Sequence, residues 1–206
     1  MVALAASSAL VGCVPVVLGG VAMGGMMAAD RRTTGIQLED EGIELRSVNR
    51  IQSLLGDNPH IHINVTSYNR QALLTGEVPT EASRQAIVQA IASVDNARTV
   101  INELAVMPET PLSQRSNDAF ITGKVRASLV DAKDLPTSAF KVVTERGVVY
   151  LMGRVTQREA ARAGSIASGV SGVVKVVRVF EYVTEEDLAR QNAARPAPVS
   201  TDSNSH

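Results

Sequence analysis

From Ile61 to Val65, apolar and polar residues alternate, with His62 and Asn64 set between Ile61, Ile63 and Val65. That period of two predicts a strand with one buried face. A polar turn, Tyr68-Asn69-Arg70-Gln71, leads into a second strand ending at Gly76. Thr80 then opens a helix, and a third strand follows over 98–106. Ahead of this set, residues from about 40 to 55 space their apolar positions for a helix. The same order returns further along the chain. A helix over about 117–130 precedes a strand, a turn at Glu145-Arg146-Gly147 and a strand ending at Gly153. Thr156 opens the next helix, and a Val-rich strand closes the series over 173–182. Thr156-Gln157-Arg158-Glu159 fits a capping box, in which Glu159 reaches back to the cap.

The two sets superpose at an offset of 77 residues: Val65-Thr66 falls on Val142-Val143, and Gly76-Glu77-Val78 on Gly153-Arg154-Val155. On that register Ile43 falls on Phe120 and Val48 on Val125; past the glycines Glu81-Ala82 meets Glu159-Ala160. The duplication predicts an α+β protein of two tandem α-β-β-α-β units. Each unit places two helices on one face of a three-stranded mixed sheet, with the third strand parallel to the second. The units are expected over 38–106 and 115–184, joined by a linker at 107–114 that Pro108 and Pro111 hold extended. So short a linker brings the units close enough to pack. Beyond 184 the Ala-, Pro- and Ser-rich stretch 185–206 is expected to be disordered, apart from a helical turn at Glu185–Arg190.

Residues 1–29 carry no charge, and within them Leu10-Val11-Gly12-Cys13 has the form of a bacterial lipobox around the only cysteine. A lipoprotein signal peptidase needs a small residue before the cysteine, an apolar one three before it, and a thiol to acylate. On this reading 1–12 is the signal peptide, Cys13 the lipidated N-terminus, and 13–37 a Gly-rich tether. The positive n-region of a signal peptide is missing, since residues 1–12 hold no Lys or Arg. Val14 is not the Asp that retains lipoproteins in the inner membrane, which points to outer-membrane sorting. An uncleaved membrane span is the alternative, because 29 uncharged residues exceed the roughly 20 a bilayer needs. The glycines at 19, 20, 24 and 25 form no phosphate loop: no strand precedes them and no Lys-Ser/Thr follows.

With 45% hydrophobic but only 3% aromatic residues, both cores must be built from aliphatic side chains. A net charge of −1 supplies no global field toward nucleic acid, so any attraction to an anionic surface must be local. No catalytic constellation stands out, and no cofactor motif. His60 and His62 share a strand face, but Asp57 is the only carboxylate near them in sequence, so no metal site is assigned. Gly164-Ser165-Ile166-Ala167-Ser168-Gly169 lies in a helix rather than a strand-to-helix turn, which excludes a nucleophile elbow. Glu39-Asp40-Glu41 reads as helix-start charge.

The helix at 117–130 carries one apolar stripe more than a half-buried helix needs. Ile121, Val125 and Leu129 make a core face. Phe120, Gly123, Ala127 and Val130 make a second stripe on roughly the opposite side, with Lys124 and Arg126 at its shoulders. An aromatic with basic shoulders suits a membrane interface; packing of the stripe on the first unit is the alternative. The counterpart positions in the first repeat, Ile43, Arg46, Arg50 and Ser53, are largely polar.

Asn64-Val65-Thr66, Gly76-Glu77-Val78, Ser116-Asn117-Asp118 and Leu151-Met152-Gly153-Arg154-Val155-Thr156 resemble the motifs of paired BON domains. Asp30-Arg31-Arg32-Thr33 and Val170-Ser171-Gly172-Val173 do so as well. With the lipobox in front, the chain from Cys13 to about Val183 resembles the dual-BON outer-membrane lipoproteins of the DolP family. The resemblance implies a periplasmic protein on the inner leaflet of the outer membrane, supporting envelope integrity near the division site. It also implies that the second domain binds anionic, phosphatidylglycerol-like phospholipid through Phe120, Val125, Arg126 and Val130. Phe120 stands where the family has Trp, and Val130 where it has Leu, so each buries less. Two other functions fit the same sequence: an adaptor for outer-membrane assembly proteins, or an unanchored osmotic-stress protein of the kind other BON pairs resemble.

Overall fold

The structure is a computed structural model that describes residues 30–56 and 61–193. The chain runs α1 (Thr34–Leu55), β1 (His62–Tyr68), β2 (Gln71–Val78), α2 (Glu81–Ala92) and β3 (Thr99–Val106). It then repeats the order as α3 (Leu112–Asp131), β4 (Phe140–Glu145), β5 (Val148–Val155), α4 (Gln157–Ser168) and β6 (Lys175–Tyr182). Each half forms a three-stranded sheet with its second strand in the middle. The hairpin pair is antiparallel and the third strand runs parallel to the second, as the crossover topology requires.

Local chemistry explains the elements. Both hairpins turn on two residues with positive φ, Asn69 and Arg70 in one and Arg146 and Gly147 in the other. That geometry matches the twist of the flanking strands. Thr80 and Thr156 cap α2 and α4, and the capping box at Thr156 and Glu159 forms in full. Gly76 sits at φ 115°, where a Cβ would come within 2.0 Å of the His62 carbonyl oxygen, so no other residue fits.

Each sheet uses one face for its own helices. Ile43, Leu74, Ile87 and Ile91 anchor the first helix–sheet core; Ile121, Val125, Leu129 and Leu151 anchor the second. The opposite sheet faces pack on one another. Tyr68 and Leu73 meet Tyr150, Met152 and Val179 in a third core, giving four layers: helices, sheet, sheet, helices. Charged contacts rim it. Lys141 reaches Glu44, Asn69 reaches Glu181, and Arg146 bonds both Glu77 and the Gly76 carbonyl.

Several boundaries differ from the sequence expectation. Asp30–Thr33, assigned to the tether, belongs to the fold: Arg31 makes a two-pronged bond to Glu159 at 2.7 Å and another to the Arg154 carbonyl. Arg32 pairs with Asp30 and Asp40 and lies over the Tyr68 ring. Helix α3 begins inside the expected linker, and the helical turn expected at Glu185–Arg190 runs on to Ala193 as a fifth helix, α5 (Glu185–Ala193). Cys13, Asp57, His60 and the stretch from 194 on lie outside the described residues.

The repeat register also changes in the helices. Asp40 accepts bonds from the Asn69 and Arg70 amides, and Asp118 from those of Arg146 and Gly147. These equivalent hooks align Ile43 with Ile121 and Ser47 with Val125, one residue away from the sequence pairing. The second helices correct in the other sense, because the caps Thr80 and Thr156 align Glu81 with Gln157. Asp40 is therefore no helix-start charge but a buried clasp holding α1 to its hairpin.

Candidate functional site

The extra stripe on α3 is exposed. Phe120 and Val130 are 66% and 62% accessible, and space is open beside Gly123. Ala127, also exposed, lies between them on the same face. The first domain does not cover this face, since the domains meet through the far sides of their sheets. That removes the alternative in which Phe120 packs on the first unit. Val125 leaves the candidate set: it is wholly buried in the core with Ile121 and Leu129, so lipid cannot touch it while the domain is folded.

The basic shoulders are placed differently from one another. The Lys124 ammonium lies 4.9 Å from the centre of the Phe120 ring and donates to the Ser171 carbonyl. Arg126, on the other flank, donates one 3.4 Å bond to the Val142 carbonyl of edge strand β4. Among the described residues neither forms an ion pair with a carboxylate. Both charges remain available to an anionic surface.

Two further apolar groups that periodicity did not pick out are exposed in the second domain. Leu112, 76% accessible, lies in the N-terminal turn of α3, ahead of the predicted helix start. Val174, 79% accessible, stands in the loop before β6, whose Gly172 lies against Ile121 and Lys124. Val174 packs beside Gly147 of the hairpin, and a loop valine carries no period to announce it.

With the corrected register, the counterpart of Phe120 is Gly42, and those of Gly123, Ala127 and Val130 are Leu45, Asn49 and Gln52. The earlier counterpart, Ile43, is completely buried. Helix α1 also exposes apolar side chains, Leu38, Leu45, Val48 and Leu54, but it offers no aromatic, and Asn49 and Gln52 stand where α3 has Ala127 and Val130.

A separate polar cluster lies between the sheets. His62 Nδ1 is 3.2 Å from Glu77 and 3.9 Å from Glu145, so the structure brings His62 two carboxylates that are distant in sequence. The three ligand-type atoms lie within 4.8 Å of one another. Glu77 is already engaged, however, by the Arg146 guanidinium and by the amide and hydroxyl of Thr110. Burial works to raise the Glu77 pKa, but these bonds and that from His62 prevail and hold it below the ordinary range. Glu145 goes the other way. Burial and the Glu77 charge push its carboxyl up against the pull of His62, Asn64 and Arg146. The arrangement closes a domain interface, with Arg146 supplying its positive charge.

Residues 48–108 and 117–184 each match the BON domain family. The chain is 36% identical to outer membrane lipoprotein DolP of Haemophilus influenzae, over 87% of its own length and 93% of that protein's. It is 30% identical to a 21 kDa hemolysin of Actinobacillus pleuropneumoniae, over 75% of this chain and 79% of that one. It is 29% identical to osmotically-inducible protein Y of Escherichia coli, over 62% and 66% respectively. The chain belongs to the BON-domain family, in the dual-domain group of the outer membrane lipoprotein DolP.

Proposed function

We propose that this protein is anchored in the outer membrane through acylated Cys13, faces the periplasm, and applies α3 of its second domain to anionic phospholipid. In that position it supports envelope integrity, acting near the division site. One observation carries the reading: α3 exposes Phe120, Gly123, Ala127 and Val130 in a strip, flanked by Lys124 and Arg126, which have no carboxylate partner among the described residues. The family resemblance and the lipobox agree with it.

The energies suit an anchored module. Burying an exposed Phe contributes roughly 1.5–3 kcal/mol. Each basic group near an anionic surface adds about 1 kcal/mol. The free domain therefore binds weakly. An acyl anchor, worth about 0.8 kcal/mol for each buried methylene, raises the effective concentration at the surface until weak contact suffices.

Flotation of the unacylated chain with vesicles, with and without phosphatidylglycerol, tests the reading. Co-flotation that requires the anionic lipid supports it. Failure to float with either vesicle, alongside capture of an outer-membrane assembly protein, would favour the adaptor function. Acylation is tested separately: a palmitate analogue should label the wild type and miss Cys13→Ser.

A further inference from the structure

Beside the apolar strip, on the Arg126 flank of α3, a recess of about 430 Å³ opens between the two domains. One wall is α3, with Arg115, Thr122 and Arg126; another is edge strand β4 as far as Glu145; the first domain closes it with His62 and Asn64 of β1. Its polar groups are unevenly satisfied. Arg115 pairs with Glu109 at 3.1 Å, though its buried Nε has no acceptor. Among the described residues Arg126 makes one long bond, to the Val142 carbonyl. Thr122 and Thr144 bond each other at 2.8 Å. At the far end Asn64 donates to one oxygen of Glu145, whose other oxygen lies 3.9 Å from His62.

We propose that this recess seats the head group of the phospholipid whose interface α3 enters, with its phosphate at Arg126 and a hydroxyl-bearing terminus between Asn64 and Glu145. The inference rests on the membrane reading above and adds to it a part for the first domain. Three features point this way. The recess borders the strip along α3, so a lipid with chains against Phe120 and Val130 has its polar part beside Arg126. The guanidinium there is a planar donor fork without a carboxylate partner among the described residues, which suits a phosphate oxyanion. The distal end offers an amide donor and a carboxyl acceptor, which suit an alcohol.

The soluble head group glycerophosphoglycerol, titrated into the full unacylated chain, separates this site from the membrane face. It should saturably shift the NMR signals of the Asn64 side-chain amide and the Thr144 backbone amide. Arg126→Gln should weaken that binding about tenfold, as loss of a charge-assisted contact does. Asn64→Leu should weaken it about threefold. Asn64 and Arg126 are both exposed, so unchanged melting temperatures will show that these variants fold. Inorganic phosphate should move Thr144 but not Asn64, and glycerophosphoethanolamine should bind less well than glycerophosphoglycerol. An unmoved Asn64 signal, equal response to the ethanolamine head group, or full binding by Arg126→Gln would each overturn the proposal. Flotation of the same wild-type chain reports independently on α3. Head-group binding without flotation would remove the membrane reading and leave the recess standing.

Discussion

Helices α1 and α3 hold equivalent places in the two domains, and their inner faces are alike. Asp40 and Asp118 each bind two hairpin amides, and Ile43 and Ile121 each fill the core beneath. Their outer faces differ. Gly42 stands where α3 has Phe120, and the Arg46 guanidinium lies over the bare backbone there, 2.9 Å from where a Cβ would sit. In α3 the corresponding Lys124 lies over the Phe120 ring instead. The fold constrains only the side of each helix that it buries. The outward side was left to diverge, and in the second domain it became an apolar strip.

The largest effects should come from the shared inner face, and they should be large in both domains. Asp118→Ala leaves two amides of a buried turn without their charged acceptor and should cost about 3–5 kcal/mol in denaturant melts. Asp40→Ala should cost at least as much, because Asp40 also accepts from Ser67 and Arg32. Ile43→Glu places a charge in a fully closed core and should unfold the first domain. A mild effect from any of these would mean that the two helices are not held in the same way.

Much of this was legible in sequence. Alternation at Ile61–Val65 and the threonine caps gave the strands and second helices, and the glycines at 76 and 153 gave the strand ends. The register of the first helices was not legible, because it is set by Asp40 and Asp118 reaching turns some thirty residues away, which leaves no periodic trace. The candidate strip was readable as a surplus of apolar positions on one helix. Val125 entered it wrongly through a motif match, although its helical spacing from Ile121 already pointed it inward. The recess was invisible for a plainer reason: Asn64 and Glu145 become neighbours only when the two sheets pack face to face.

Smaller effects concern the interface cluster, where two carboxylates shift in opposite directions. Glu145 has a folded-state pKa above its unfolded value, so it favours folding at low pH and loses that contribution as pH rises through the folded pKa. Its surroundings are His62 on β1, Glu77 on β2 and Arg146 in the hairpin. Glu145→Gln should therefore raise the melting temperature at about pH 8 and lose that advantage below about pH 4. Glu77 is held low, so its contribution is present above the unfolded pKa and fades as pH falls through the folded one. Glu77→Gln should destabilise the protein at about pH 7, and progressively less as acid carries the pH below the ordinary carboxylate range. Two variants with parallel pH profiles would show that the cluster is not asymmetric. Smallest of all, Arg126→Glu should weaken vesicle binding by about 1–2 kcal/mol, a loss that shrinks as salt screens the surface.

The difference between the two outer faces is tested most directly by placing the same charge on each and measuring binding to phosphatidylglycerol vesicles. In the unacylated full chain, Phe120→Glu should abolish binding. Leu45→Glu, a charge at a comparably exposed leucine on the corresponding face of α1, should leave it unchanged. Both residues are more than 60% accessible, at 66% and 64%, so both melting temperatures should stay near that of the wild type. Binding that survives Phe120→Glu, or that is lost equally in Leu45→Glu, would contradict the assignment of membrane contact to the second domain alone.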